Sequence, residues 1–497
     1  MTGFHSFPGR FPFFLLFLFF IQKEIEAQPA LPHRFQVIST FPGFSEKKDK
    51  TVFSDALKAT NYLEKEWNQW LNSGYPFAKL VFDSISYPES AMIYVRILPG
   101  PFIENGQLIV HGDSAFKNSM LRRWFRFQPG QPFAWNRFLN VPGLASRLFF
   151  AKEVRAPELE WFGDKAFLHV YLEKKGGNAF SGILGLLPAS GTKPPVLTGN
   201  LDASFNNLFG IGAGLIVKWS RFAPSSQTAD LQFRLPALNY NGLGVEAKFE
   251  FFRQDSLYTR QQADLLAIQT SINNWDVQLG LSAFGSSGQF ATSTEIKGQT
   301  IIRGQGVRFG LSYAPDPDFN LVPGRKKAIL QITPTAKSIS SGSGKRTIPH
   351  LVMQSSGTWP LMVLRNKYFL NSSWKAGGVF SKEILLPDMW RVGGIRDLRG
   401  FYENEFFASR FAVIGLQPQV WLDNSLLFGL FSDVALLDLS VNQPKWSSMN
   451  WAMNLGVSVE FETGSNLIRL SFANGRLGAF PSNLRSTKIH FGYLARF

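Results

Sequence analysis

Cysteine is absent from all 497 residues. That excludes a disulfide framework and any thiolate metal site, so packing and hydrogen bonding alone must carry stability. Histidine is sparse. His5, His33, His111, His169, His350 and His490 are scattered and form no ligand spacing. No G-x-S-x-G elbow occurs. Gly342-Ser-Gly-Lys345 imitates the end of a phosphate loop, but Ile339 stands where the first glycine belongs, so a Ser/Gly connection is expected there. These absences point away from an enzyme and toward a chain with no cofactor and no metal.

Long apolar runs are also missing, with one exception near the start. Phe11 to Ile21 is strongly apolar, follows Arg10, and is too short to span a bilayer as a helix. Ala27 is a suitable cleavage position, so residues 1–27 read as a secretory signal peptide. Lys23, Glu24 and Glu26 crowd the cleavage region with charge.

What the chain does have is aromatic side chains, 49 Phe, 13 Trp and 11 Tyr, at a mean hydropathy of only −0.04. Strands that alternate lipid-facing apolar residues with lumen-facing polar ones produce this combination. A secreted all-β protein would share it. The formal net charge is +15, and removing Arg10 and Lys23 together with Glu24 and Glu26 leaves it unchanged. Without a nucleic-acid motif, no nucleic-acid partner is expected. Anionic lipid head groups or acidic polypeptides suit the charge better, and scattered lumenal Lys and Arg would account for it equally.

The pattern changes near Gly176-Gly177. Before it, helix and strand mix. In 28–100, an extended run from Arg34 to Thr40 is followed by Ser54 as a helix N-cap and by Leu57, Leu63, Trp67, Trp70 and Leu71 on one helical face. Gly74 stops that helix, and strands are expected over Phe77–Ser86 and Met92–Leu98. In 101–175, a strand over Ile103–His111 precedes helices over Phe116–Phe127 and Trp135–Phe150, then strands over Val154–Trp161 and Ala166–Glu173. After Phe180 only strands remain. Gly199, Leu201, Ala203 and Phe205 share one face; Leu455, Val457, Val459 and Phe461 alternate with Asn454, Gly456, Ser458 and Glu460. The 321 residues from 177 to 497 would hold roughly 14 to 18 membrane-spanning strands.

Two motifs carry a resemblance. Val392-Gly-Gly-Ile-Arg-Asp-Leu-Arg-Gly-Phe401 lies between strand-like segments, and the chain closes on Ile489-His-Phe-Gly-Tyr-Leu-Ala-Arg-Phe497. Both resemble the BamA/TamA family of outer-membrane assembly proteins. The resemblance implies a membrane all-β fold, a 16-stranded antiparallel transmembrane β-barrel over 176–497, preceded by two small periplasmic α+β POTRA-like domains at 28–100 and 101–175. It also implies a loop at about 386–410 folded into the barrel. Strand parity agrees: counting back from a periplasmic C-terminus through the turns at Thr463-Gly-Ser465 and Asp423-Asn-Ser425 places Arg-Gly-Phe in an outer loop.

In that family the loop arginine locks the loop to the inner wall. The resemblance implies that Arg399 takes that role here, with Asp433 of Phe431-Ser-Asp433 as its acid. Where the family offers a glutamate this chain has Gln417, a secondary partner without charge. Gly393, Gly394 and Gly400 would let the loop turn and approach the wall, and Phe401 would pack beside the arginine. Phe497 resembles the C-terminal barrel signal, and Phe180, Gly182 and Gly185 are candidates for weakening the first strand. The implied function is insertion, assembly or translocation of client outer-membrane or exported polypeptides at the bacterial outer membrane. The implied partners are those clients, outer-membrane lipid, and periplasmic accessory proteins reached through the POTRA-like domains. A two-partner secretion transporter with one dedicated passenger is the alternative within the superfamily; a passive porin or receptor barrel is the alternative outside it.

Overall fold

The structure, a computed structural model, describes residues 35–40, 49–86, 91–113, 116–148, 150–174, 178–187, 196–223, 226–255, 257–271, 274–288, 300–314, 326–341, 344–394, 397–440, 449–463, 466–478 and 487–496. The expected signal segment 1–27 and Phe497 lie outside the described residues.

The first α+β unit holds β1 (Phe35–Thr40), β2 (Asp49–Phe53), α1 (Ala56–Leu71), β3 (Lys79–Ser86) and β4 (Ala91–Leu98). Its sheet runs β2-β1-β4-β3, with β1 parallel to β4. Strand β2 is an addition to the expected order; its charged start, Asp49-Lys50, hides a strand that pairs antiparallel with β1. The N-cap of α1 is Asp55 and not Ser54. The Asp55 carboxylate accepts from the Lys58 amide at 2.8 Å, whereas the Ser54 hydroxyl donates to Asp55 itself. Leu63 is buried as expected, with Ala59 and Thr60 beside it, but Leu57, expected on the same apolar face, is exposed.

The Lys58 amide holds the Asp55 carboxyl below its ordinary range. A carboxyl with a lowered folded-state value stabilises above the usual aspartate range, and the benefit disappears as pH falls through the lowered value. Asp55→Ala should therefore lower the thermal midpoint near neutral pH and merge with the parent in strong acid. Circular dichroism melts across pH would check this.

The second α+β sheet contains β5 (Glu104–Gly112), β6 (Ala151–Phe162) and β7 (Lys165–Lys174) in the order β5-β7-β6. Between β5 and β6 come α2 (Asn118–Trp124), α3 (Trp135–Leu139) and α4 (Val141–Ala145). These helices are shorter than the apolar spacing suggests. Pro142 begins a new helix at α4, because proline fits a first turn and not an interior.

By compactness, α2, α4 and the flanking 139–160 group with the barrel. Their side chains seat on the turns at one barrel end. Met120 fills the space above Gly212, Arg126 donates to the Thr270 carbonyl, and Arg147 donates to Ser271 at 3.0 Å and to Asp276 at 2.7 Å. Arg234, half-buried, completes a triad at 2.9 Å from the other oxygen of the buried Asp276.

Sixteen strands close the barrel. The first eleven are β8 (Ala179–Leu187), β9 (Val196–Leu208), β10 (Ala213–Ala223), β11 (Ser226–Leu235), β12 (Leu243–Gln254), β13 (Tyr258–Thr270), β14 (Trp275–Gly288), β15 (Thr300–Tyr313), β16 (Lys327–Ser341), β17 (Gly344–Leu364) and β18 (Tyr368–Ser381). A loop carrying the short strands β19 (Trp390–Val392) and β20 (Phe406–Ala408) follows. Strands β21 (Arg410–Trp421), β22 (Leu426–Asp438), β23 (Met449–Thr463), β24 (Asn466–Leu477) and β25 (Lys488–Arg496) complete the wall.

The two-residue period sorts the faces. On β14, Val277, Leu279 and Leu281 are exposed while Asp276, Gln278 and Ser282 are buried inside. Leu265, Phe309, Ile414, Leu416, Leu430, Val434 and Leu455 continue the outer apolar surface around the wall. A surface of this kind belongs in hydrocarbon. Aromatic rings rim one end of it: Trp275 lies 5.1 Å from Tyr313, which lies 6.0 Å from Trp359, with the Lys326 ammonium 5.0 Å from the Trp359 ring. Such a girdle, with a cation reaching outward, marks a membrane–water boundary.

One joint in the wall differs from the rest. β8 pairs with β9 along its whole length, from Ala179↔Ser204 to Leu187↔Val196. Its pairing with β25 consists, among the described residues, of Ala495↔Phe180 and Arg496↔Ala179. Phe180 thus lies at the paired end, while Gly182 and Gly185 lie in the stretch of β8 that has no β25 register partner among the described residues.

Candidate functional site: a loop anchored in the barrel lumen

The loop between β18 and β21 turns inward because its apolar residues have a surface to bury against. After a 3-10 turn at Leu386–Asp388, β19 and β20 pair antiparallel, Trp390 opposite Ala408 and Val392 opposite Phe406. Val392, Leu398, Phe401, Phe406 and Ala408 form one buried cluster with Phe411 and Val413 of β21, Ala435 and Leu437 of β22, and Ala452 of β23. The loop is therefore packed onto the inner wall over β21–β23. At its tip Gly394 and Leu398 exchange backbone hydrogen bonds at 3.1 Å. Gly393 and Gly394 take φ of +134° and +92°, values that favour glycine.

The tip delivers Arg399 to Asp433. Arg399 Nε donates to Asp433 Oδ2 at 2.9 Å and Nη2 to Oδ1 at 2.6 Å, a bidentate pair. Nη1 donates to Gln417 Oε1 at 3.1 Å. The guanidinium carbon stands 3.7 Å from the centre of the Phe431 ring, close enough for a cation–π contact. Asn454 clamps the acid from its other side: its Nδ2 donates to Asp433 Oδ2 at 2.7 Å, and its Oδ1 accepts the Asp433 amide at 3.0 Å. Arg399, Asp433, Gln417, Phe431 and Asn454 thus form one constellation, with Asp433 its single charged partner for the arginine.

Missing side chains make the room. Gly415 is the register partner of Asp433, and a Cβ there would fall 2.5 Å from Asp433 Oδ1. A Cβ at Gly456 would fall 2.3 Å from the Phe431 ring.

Two members of this constellation escaped the sequence reading, and one assignment moves. Asn454 sits on the polar face of β23, but only the β22–β23 register places it opposite Asp433. The ring against the arginine is Phe431 and not Phe401. Phe401 packs on Phe406 at 5.1 Å and against Gly475. The chain turns at 399–401 through Gly400 at φ +83°, so Arg399 and Phe401 serve different contacts. Gly400 (φ +83°) lies so near β24 that a Cβ would fall 2.8 Å from the Gly475 amide nitrogen. Gly400→Ala should cost about 1–3 kcal/mol through backbone strain and this clash. It should lower the temperature at which the folded barrel loses its fast electrophoretic mobility.

No family model matches the chain, and no curated protein matches it. Solved structures do. CdiB from Acinetobacter baumannii is similar at 13% identity over 99% of this chain and 88% of that one, with a TM-score of 0.57. CdiB from Escherichia coli is similar at 11% identity over 97% of each chain, also at 0.57. BamA from Haemophilus ducreyi lacking POTRA domains 1–3 aligns at 14% identity over 90% of this chain and 94% of that one, with a TM-score of 0.49. The two CdiB matches establish a shared fold: a 16-stranded barrel with small α+β units before it.

Proposed function

We propose that this chain inserts or translocates other polypeptides at a bacterial outer membrane. The observation that carries the reading is the incomplete joint between β8 and β25. A sheet edge left unpaired inside a wall can template an incoming strand through its free backbone groups. The loop that occupies the lumen, tied by Arg399, supports the reading, because a passive pore is better served by an open channel. In this reading the chain works without bond-breaking chemistry. The α+β units lie on the periplasmic side and offer strand edges to clients or accessory proteins, while the outer apolar belt contacts lipid.

A second reading, export of one dedicated passenger, is favoured by the near full-length likeness to CdiB, which includes the small domain count. Depleting the protein and surveying outer-membrane and secreted contents separates the two. Broad loss of barrels supports assembly, and loss of one secreted protein supports dedicated export. Unchanged protein contents with impaired small-molecule uptake would overturn both.

A further inference from the structure

The lumen holds a second polar cluster on the same loop, well away in the wall from Arg399. Lys337 of β16 is completely buried. Its Nζ donates to Asp388 Oδ2 at 2.7 Å and to the Glu383 carbonyl at 2.6 Å. The same Asp388 oxygen accepts the Leu385 amide at 3.0 Å. Arg260 of β13 donates to the Pro387 carbonyl and places Nη1 3.9 Å from Asp388 Oδ1. Arg346 of β17 grips Glu383 through two hydrogen bonds, at 2.7 and 2.6 Å.

An apolar cluster adjoins these groups, with the buried His350 beside them and Arg391 over the Phe252 ring. Phe252, Tyr258, Phe284, Ile302, Ile339 and Leu385 pack into one cluster there. Opposite charges beside such a shell attract strongly because little water screens them; removing Asp388 leaves Lys337 buried without its acid, and removing Lys337 leaves Asp388 with the longer Arg260 contact at 3.9 Å as its ion pair. Glu383, Pro387 and Asp388 all belong to the stem of the loop, and their partners stand on β13, β16 and β17. The Arg399 constellation uses β21, β22 and β23. The loop is thus tied to two separate arcs of the wall.

We infer that Lys337 and Asp388 form a second, independent hold that keeps the loop stem inside the barrel, as Arg399 and Asp433 keep its tip. Lys337 and Asp388 are positioning residues in this scheme. The inference concerns the loop alone and needs no client, so its failure is distinguishable from failure of the transport reading.

The absence of cysteine makes the test clean. Leu385→Cys reports on the stem and Leu398→Cys on the tip; both positions are buried. Each reporter is placed singly in the full-length protein in liposomes and probed with a membrane-impermeant maleimide. Lys337→Met is expected to raise the labelling rate at 385 about tenfold or more, as a locally opened population grows, and to leave 398 protected. Arg399→Ala is expected to do the reverse. Asp388→Asn keeps the shape and an acceptor oxygen, and carries the test if Lys337→Met does not assemble. Folding of every variant is verified by heat-modifiable mobility. The inference is overturned if the stem variant that folds leaves 385 protected, or if either tie, when cut, exposes both positions.

Discussion

Arg399→Ala is expected to abolish most client handling while leaving an embedded barrel. The arginine makes a bidentate pair with Asp433, a third bond to Gln417 and a ring contact with Phe431. Its removal leaves Asp433, only 3% exposed, with Asn454 as its remaining side-chain partner here. Breaking a buried pair from one side costs about 3–5 kcal/mol, more than the loop tip regains from any other single contact. Asp433→Asn should be milder than Asp433→Ala, since an amide still accepts from the guanidinium. Arg399→Lys should rescue little, because an ammonium cannot span both carboxylate oxygens and loses the flat ring contact. The measurement is client insertion or secretion in cells carrying each variant, with heat-modifiable mobility as the folding control. Parent-like activity from both Arg399→Ala and Asp433→Ala would remove the lock from the mechanism.

The second large effect should come from closing the joint. Phe180 and Ala495 are opposite each other in the β8–β25 register. Directly opposed antiparallel residues have Cα atoms about 4.5–5.5 Å apart, within the span a disulfide tolerates. Phe180→Cys combined with Ala495→Cys should therefore oxidise to a covalent seam. Activity is expected to disappear under oxidant and return with reductant, while each single variant stays active throughout. The parent has no thiol, so an oxidant effect on it would have another source. Full activity of the bridged protein would mean that the β8–β25 joint need not part.

Much of this architecture was legible because its rules are local. The two-residue alternation around Leu455 and Val457 follows from a wall with one wet and one oily face, and it needs no tertiary information. The tip motif was legible through its resemblance to a family signature, and the positive φ of Gly393, Gly394 and Gly400 shows why glycine stands there. What stayed hidden was register. Asn454, Gly415 and Gly456 look like ordinary polar-face and small residues until β21, β22 and β23 are laid side by side. Lys337 is harder still. In the run from Gln331 to Ser341 it reads as one more lumenal polar residue, and its partner Asp388 lies 51 positions away. The first helix shows the opposite failure, a local one: Ser54 and Asp55 are adjacent residues of types that both cap well, and the Ser54 hydroxyl is turned to Asp55 while Asp55 takes the Lys58 amide.

The docking of Met120, Arg126 and Arg147 on the turns of β9 to β14 has a mechanical corollary. The two flanks of the incomplete joint are restrained by different bodies. Toward β25, the tip of the inward loop braces β21–β23; toward β8, Met120 and Arg126 in and after α2, with Arg147, hold the β9–β10 and β13–β14 turns. A pull on α2 or on 139–160 is consequently expected to load the leaf next to β8 before the leaf next to β25.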